Sequence, residues 1–125
     1  NHFAHEQKAF LDFLHERRIE GVLFLSGDRH FGELLKIERP DAYPLYEFTS
    51  SPLTSNPWET PESGERENPD VVPGTLVGKR QFGLLRIGGA GPARTLVLES
   101  VDVAGTSLWR HEIPFAALRY PRAAP

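Results

Sequence analysis

The sequence contains no cysteine among its 125 residues. This absence excludes disulfide bonds, thiolate zinc sites and a cysteine nucleophile, and it leaves the redox compartment undetermined. Any metal ion must therefore be held by His, Asp, Glu or Asn side chains. No apolar run approaches the roughly 18–20 residues that span a bilayer, and the N-terminus lacks the pattern of a secretory signal. The sequence thus predicts no membrane span.

The sequence also lacks an excess of positive charge, since it has 14 Lys and Arg against 17 Asp and Glu and a formal net charge of −3. This balance argues against a nucleic-acid-binding surface and a polybasic membrane anchor. The 39% hydrophobic and 25% charged residues are ordinary for a globular domain. Methionine is absent, and the chain begins with Asn1. We therefore expect a processed product or a fragment of a longer protein.

The first third of the chain predicts a helix followed by a buried strand. Apolar residues recur at helical spacing over residues 3–19, and Gly21 suits the left-handed turn that ends such a helix. Residues 22–25 are uniformly apolar, which is typical of a strand buried on both faces. A helix leading into such a strand is the second half of a βαβ unit, whose first strand would precede Asn1.

The remainder predicts mostly antiparallel strands around one long loop. Two short strands are expected at residues 34–37 and 45–49. Residues 51–80 hold five of the eleven prolines, and this composition predicts a solvated, mobile loop without a helix or a long strand. Three further strands are expected at the end of the chain, at residues 82–87, 94–103 and 108–113. The predicted fold class is α/β, with one N-terminal helix, a buried strand and then mostly antiparallel strands.

The pattern Asp28-Arg29-His30 follows the predicted buried strand, where ligands collect in open α/β sheets. Residues two apart on an extended chain project to the same side, so Asp28 and His30 can meet one ion. Their oxygen and nitrogen atoms suit zinc, iron or manganese. The alternative is a Gly-Asp turn with His30 on the surface. Arg29 suits a substrate phosphate, and the alternative is a guanidinium that faces solvent or pairs with a glutamate.

Two longer segments extend this pattern: the first contains it, and the second follows later in the chain. Residues 21–31 are Gly-Val-Leu-Phe-Leu-Ser-Gly-Asp-Arg-His-Phe, and residues 43–54 are Tyr-Pro-Leu-Tyr-Glu-Phe-Thr-Ser-Ser-Pro-Leu-Thr. In order and spacing they resemble the end of the PhoD-like alkaline phosphatase family, a branch of the calcineurin-like metallophosphoesterases. The resemblance extends more loosely over residues 82–118. It implies that residues 1–125 form the C-terminal portion of a single metallophosphoesterase domain, an αββα sandwich in which 51–80 is a long proline-rich loop.

The resemblance also implies a function. The wider superfamily carries Gly-His-x-His at this place, whereas PhoD-like members carry Gly-Asp-x-His, as residues 27–30 do. Asp28 and His30 would then be ligands of a dinuclear or larger centre of divalent or trivalent ions, with calcium, iron, manganese or zinc as candidates. Such metals activate water for attack on a phosphate ester. Arg29 would contact the substrate, and the location would be periplasmic or extracellular.

The family's remaining metal ligands come from earlier signatures that this sequence does not contain. We therefore expect the chain to lack a complete catalytic set, to be inactive alone and to need the N-terminal part of the same domain as its partner. An alternative is a non-catalytic β-rich binding or structural module, and a third possibility is one product of a proteolytic cut. Weaker site candidates are the other histidines, two serines and a tryptophan, namely His2, His5, His15, His111, Ser50, Ser51 and Trp58. We expect surface or structural roles for the histidines and serines, and Trp58 either covers a substrate or anchors its loop.

Overall fold

A computed structural model describes residues 3–58 and 63–121. It contains one long helix, one single-turn helix and six strands. In chain order these are α1 Ala4–Glu16, β1 Leu23–Ser26, β2 Glu33–Ile37, β3 Leu45–Thr49, α2 Ser63–Arg66, β4 Gln81–Gly88, β5 Thr95–Asp102 and β6 Ser107–Pro114. Short 3₁₀ turns lie at Gly91–Ala93 and Phe115–Leu118. The predicted α/β class, with one N-terminal helix and mostly antiparallel strands, is confirmed.

The first sheet has the strand order β1-β3-β2. Strand β1 runs parallel to β3, with Ser26 opposite Thr49, whereas β2 runs antiparallel to β3, with Glu33 opposite the same threonine. The carboxyl ends of β1 and β3 and the amino end of β2 therefore meet at one edge of this sheet. We call this side of the sheet, around Ser26, Thr49 and Glu33, the loop edge; it is formed by strand ends and is distinct from the lateral edge formed by β1.

The second sheet is an antiparallel meander in the order β4-β5-β6. It packs against the first sheet through aromatic and aliphatic side chains, and Phe48 meets Trp109 edge to face at 5.1 Å between ring centroids. Gly83 of β4 makes room for this contact, because a Cβ there would lie 2.7 Å from Phe48 ring atoms. The core between the sheets consists of Leu34, Tyr43, Leu45, Tyr46, Phe48, Leu98, Ile113, Leu118 and Tyr120.

Helix α1 packs on the first sheet, where Phe10 meets Phe24 edge to face at 6.2 Å. The helix ends at Glu16, earlier than the predicted residue 19. Arg18 adopts a left-handed backbone with φ of 48°, which interrupts the helical hydrogen bonds before Gly21, also left-handed with φ of 76°. None of the helices within residues 3–58 and 63–121 is long and apolar enough to cross a membrane.

Strand β1 is not buried on both faces, so that prediction is wrong. Leu25 is 65% exposed, and the other three residues of the strand are half-buried. Within the described residues β1 pairs only with β3 and is an edge strand, and the sheet face at Leu25 is left uncovered. An apolar run is typical of a strand that is covered on both faces, and it does not show which segments cover those faces.

The segment 51–80 is also more ordered than its prolines predict. It contains the single turn α2, and two isolated β-bridges join Val71 to Leu35 and Val77 to Gly32. The buried Thr75 hydroxyl donates to the Val72 carbonyl at 2.7 Å and accepts the Leu34 amide at 3.1 Å. These contacts cover the side of β2 that faces away from β3. The prediction that this segment contains no helix is therefore wrong for its described part, whereas its mobility stays a prediction.

Candidate functional site

The loop of residues 27–32 joins β1 to β2 across the carboxyl end of β3. The crossing is required because β3 lies between the two strands that the loop connects. Asp28 and His30 make the turn, with left-handed φ values of 64° and 60°. Asp and His are among the non-glycine residues that enter this backbone region most readily. The expectation of an extended Asp28-Arg29-His30 segment is therefore wrong, and a left-handed turn holds both candidate ligands at the loop edge.

Asp28 is exposed in this turn. Within the part of the chain that the structure describes, its carboxylate forms no hydrogen bond and no ion pair. A carboxylate without a protein partner is free to bind a cation.

The imidazole of His30 is held by residues 26 positions later in the chain. Its Nδ1 hydrogen-bonds to the backbone carbonyl of Asn56. A carbonyl only accepts, so Nδ1 carries the proton in this contact and the neutral ring keeps a lone pair on Nε2. Trp58 adds two contacts, because its amide donates to the His30 carbonyl at 2.9 Å and its ring stacks on the imidazole at 5.9 Å. The tautomer, the ring plane and the backbone of His30 are thus all constrained.

Arg80 holds the segment that contacts His30. Its Nε donates to the Ser55 carbonyl at 3.1 Å, and its Nη2 donates to Oδ1 of Asn56 at 3.4 Å. Arg80 directly precedes β4, whose first residue, Gln81, is buried. The backbone N–H of Gln81 donates to the Pro52 carbonyl at 2.9 Å. Sequence reasoning missed both Asn56 and Arg80. The dipeptide Asn56-Pro57 is a turn signal, but no local pattern connects it to His30.

Arg29, the predicted substrate-binding residue, pairs with carboxylates of the protein itself. Its guanidinium hydrogen-bonds to Glu65 of α2 and lies 3.8 Å from Glu33, and it also covers the Phe31 ring at 4.7 Å from the centroid. This arrangement corresponds to the alternative in which Arg29 pairs with a glutamate. A substrate phosphate would have to compete with Glu65 for the guanidinium.

Glu33 is a charged residue at the loop edge that the sequence analysis did not single out. It is fully buried, and both of its carboxylate oxygens lack a hydrogen-bond partner in the described residues. The pKa of Glu33 is raised to about 7, chiefly by burial and in part by the nearby Glu65, while Arg29 opposes the shift. Next to it, the hydroxyls of Ser26 and Thr49 are hydrogen-bonded at 2.8 Å. Its burial could not be predicted from the sequence, because a glutamate at the start of a strand is ordinarily solvated.

The other candidate residues lie away from this loop or lack partners for catalysis. His5 is exposed, His15 packs edge-on against a tyrosine ring, and His111 is half-buried beside Tyr46, where burial lowers its pKa. His2 lies outside the described residues. The two serines follow β3, and within the described residues neither hydroxyl is hydrogen-bonded to a histidine or a carboxylate.

The donor atoms at the loop edge fit part of a metal centre. Asp28 offers an anionic oxygen that has no partner among the described residues, and His30 offers Nε2 while Nδ1 is engaged by a carbonyl, as is usual for histidines that bind metals. Within residues 3–58 and 63–121, no three His, Asp or Glu side chains converge into a group that would hold an ion. Asp28 and His30 would therefore need ligands from elsewhere.

Comparison of the chain with protein-family models, curated proteins and solved structures gave no match. The resemblance to PhoD-like phosphatases accordingly depends on the motifs in residues 21–31 and 43–54.

Proposed function

We propose that this chain is the C-terminal portion of a metal-dependent phosphoric ester hydrolase of the PhoD-like type. The observation that carries the proposal is the imidazole of His30, which is fixed through Nδ1 and keeps Nε2 available, in the same turn as the Asp28 carboxylate, which has no partner among the described residues. This turn lies at the carboxyl ends of the parallel strands β1 and β3, the edge at which α/β sheets bind ligands. The Gly-Asp-x-His motif supports the same assignment.

In this proposal Asp28 and His30 hold the metal ions. When bound, such ions polarise phosphoryl oxygens, lower the pKa of water and orient it toward phosphorus. Asp28 contributes negative charge, and His30 contributes a neutral nitrogen donor whose direction the Asn56 carbonyl sets. Trp58 stacks on one face of the imidazole and helps to hold the ring plane. Arg29 lies in the same turn, and its positive charge is paired with Glu65.

The remaining ligands come, in this proposal, from the N-terminal part of the same domain. The free edge of β1 supports this, because Leu25 is 65% exposed and the outer backbone groups of the strand have no neighbour among the described residues. Unpaired strand edges and exposed apolar side chains favour association with another segment. The chain alone is then inactive, and a complete protein hydrolyses phosphate monoesters or diesters in the periplasm or outside the cell.

The test compares the longest natural chain that contains this segment with its Asp28→Ala and His30→Ala double variant. Elemental metal content and the hydrolysis of a phosphomonoester and a phosphodiester are measured in parallel. His5→Ala serves as the matched control, because it removes an exposed histidine on α1. We expect the double variant to lose metal and both activities while the control keeps them.

Circular dichroism and thermal unfolding check that the double variant is folded. A folded double variant with unchanged metal content would overturn the proposal. Residues 27–30 would then be a turn in a non-catalytic binding or structural module.

A further inference from the structure

The geometry of His30 depends on a segment far away in sequence. The Asn56 carbonyl accepts from Nδ1 of His30, and the Trp58 amide donates to the His30 carbonyl. The indole of Trp58 lies nearly parallel to the imidazole, with 19° between the ring planes, and it also stacks on Phe31. Residues 56–58 therefore contact the backbone, the ring edge and the ring face of one histidine.

Residues 56–58 are in turn anchored to the second sheet through Arg80. Its guanidinium donates to the Ser55 carbonyl and to the side chain of Asn56. The next residue, Gln81, is 1% exposed, and its side-chain oxygen accepts the hydroxyl of the buried Ser100 on β5. Arg80 thus extends from a fixed point at the start of β4, and a continuous series of contacts leads from β5 to the imidazole.

The tautomer of His30 decides what its outward nitrogen can bind. In water a free neutral histidine carries its proton mainly on Nε2, a form that cannot offer Nε2 to a metal ion. The ring nitrogen that keeps the proton is set by the hydrogen bond it makes. With Nδ1 donating to the Asn56 carbonyl, Nε2 is the basic atom. Loss of this carbonyl position would return the ring toward the other tautomer.

We propose that Arg80 is a positioning residue for His30: by holding Ser55 and Asn56, it keeps the His30 imidazole in the Nδ1–H form with Nε2 presented for coordination. This inference rests on the proposed function, in which His30 binds metal. Arg80 itself touches neither His30 nor a metal ion. It acts through the backbone carbonyl of Asn56, which no substitution of Asn56 itself would remove.

The first arm of the test measures the tautomer without metal. The longest natural chain containing this segment is labelled with ¹⁵N at histidine, stripped of metal and recorded at about pH 9, well above the ordinary pKa of imidazole. The ¹⁵N signals of His30 are assigned as those that are missing from the spectrum of His30→Gln. Arg80→Ala is compared with Arg80→Lys, which keeps one donor group, and with Lys79→Ala, which removes the neighbouring exposed charge.

We expect the wild type and Lys79→Ala to show His30 protonated on Nδ1. Arg80→Ala should shift the ¹⁵N signals toward the Nε2–H form, and Arg80→Lys should restore part of the wild-type pattern. An Arg80→Ala variant that is folded and keeps the wild-type tautomer would overturn the inference.

The second arm measures metal uptake. The stripped proteins are loaded from an equimolar mixture of calcium, iron, manganese and zinc ions at buffered free concentrations, and bound metal is read by elemental analysis. Removal of groups that orient a metal-binding histidine lowers affinity by roughly 10–100-fold. We expect Arg80→Ala to need about tenfold more free metal for half-loading, and Lys79→Ala to match the wild type.

The two arms separate failure of this inference from failure of the proposed function. A tautomer shift in Arg80→Ala, in a chain that takes up no metal in its wild-type form, would keep Arg80 as a positioning residue and overturn the proposed function. Metal uptake that is equal in wild type and Arg80→Ala, with an unchanged tautomer, would overturn the role of Arg80 and leave the proposed function standing.

Discussion

The carboxylate of Glu33 lies 3.8 Å from the guanidinium of Arg29 and has no hydrogen-bond partner among the described residues. Glu33 is fully buried, whereas the side chain of Arg29 is 43% exposed and also binds Glu65. The attraction of one shared, half-exposed guanidinium does not offset the desolvation of a buried carboxylate. The pKa of Glu33 therefore lies at about 7.

The raised pKa of Glu33 predicts that stability falls as the pH rises from 4.5 to 7. In this window the folded chain holds a proton that the unfolded chain has released, so rising pH favours the unfolded state. At 1.36 kcal/mol per pKa unit the loss is about 3 kcal/mol, and it is nearly complete about one unit above the folded-state pKa. Urea unfolding across pH 4.5 to 8 measures it.

Glu33→Gln removes the titrating group and keeps its shape. Relative to the wild type, this variant should gain about 3 kcal/mol of stability between pH 4.5 and pH 8. Glu112→Gln is the control, because Glu112 is exposed on β6. Parallel pH profiles for the wild type and Glu33→Gln would contradict the assignment of the shift to Glu33.

Gly83 is predicted to be required for contact between the two sheets. A Cβ at this position would lie 2.7 Å from ring atoms of Phe48 and 3.2 Å from the Ser50 side chain. Gly83→Ala should therefore destabilise the fold by about 1–3 kcal/mol through overpacking. Gly88→Ala on the same strand is the control, because its nearest neighbour would be 3.9 Å away. Equal urea midpoints for the two variants would refute close packing at Gly83.

Much of the fold could be predicted from local pattern. The strands β3 to β6 and the helix α1 follow from alternation, helical spacing and turn residues, and their ends agree with the predictions to within about three residues. The exposure of Leu25 could not be predicted, since burial of an apolar strand depends on which segments lie beside it. The sequence of β1 is that of a central strand, yet in the described chain it forms an edge.

The candidate site was predictable only in part. Gly27-Asp28 signals a turn, and both the Asp-x-His spacing and the resemblance singled out Asp28 and His30. The left-handed conformation of both residues accompanies the crossing of the end of β3, which local sequence does not reveal. The contact between His30 and Asn56 joins residues 26 positions apart. Local sequence patterns do not determine such pairings, because they arise from the path of the whole chain.

Thr75 is predicted to hold the second half of the segment 51–80 against β2. Its hydroxyl is buried between the Leu34 amide and the Val72 carbonyl. Thr75→Val keeps the volume and leaves both backbone groups without this partner, so we expect a loss of about 1–3 kcal/mol. Hydrogen exchange should be accelerated at the amides of Val72 and Val77, which bond to the backbone of residues 32–34. Thr54→Val, at an exposed position, should leave this exchange unchanged.

Trp58 is predicted to report metal binding at His30 by its fluorescence, because the indole stacks on the imidazole at 5.9 Å. Mn²⁺ is paramagnetic and quenches an excited indole nearby, so adding it to the metal-free, longest natural chain should lower the emission. The Trp109→Phe variant should keep this change, since Trp109 packs on Phe48 in the core. Trp58→Phe and His30→Ala should both abolish it. Quenching that persists in His30→Ala would place the bound ion elsewhere and contradict coordination by this histidine.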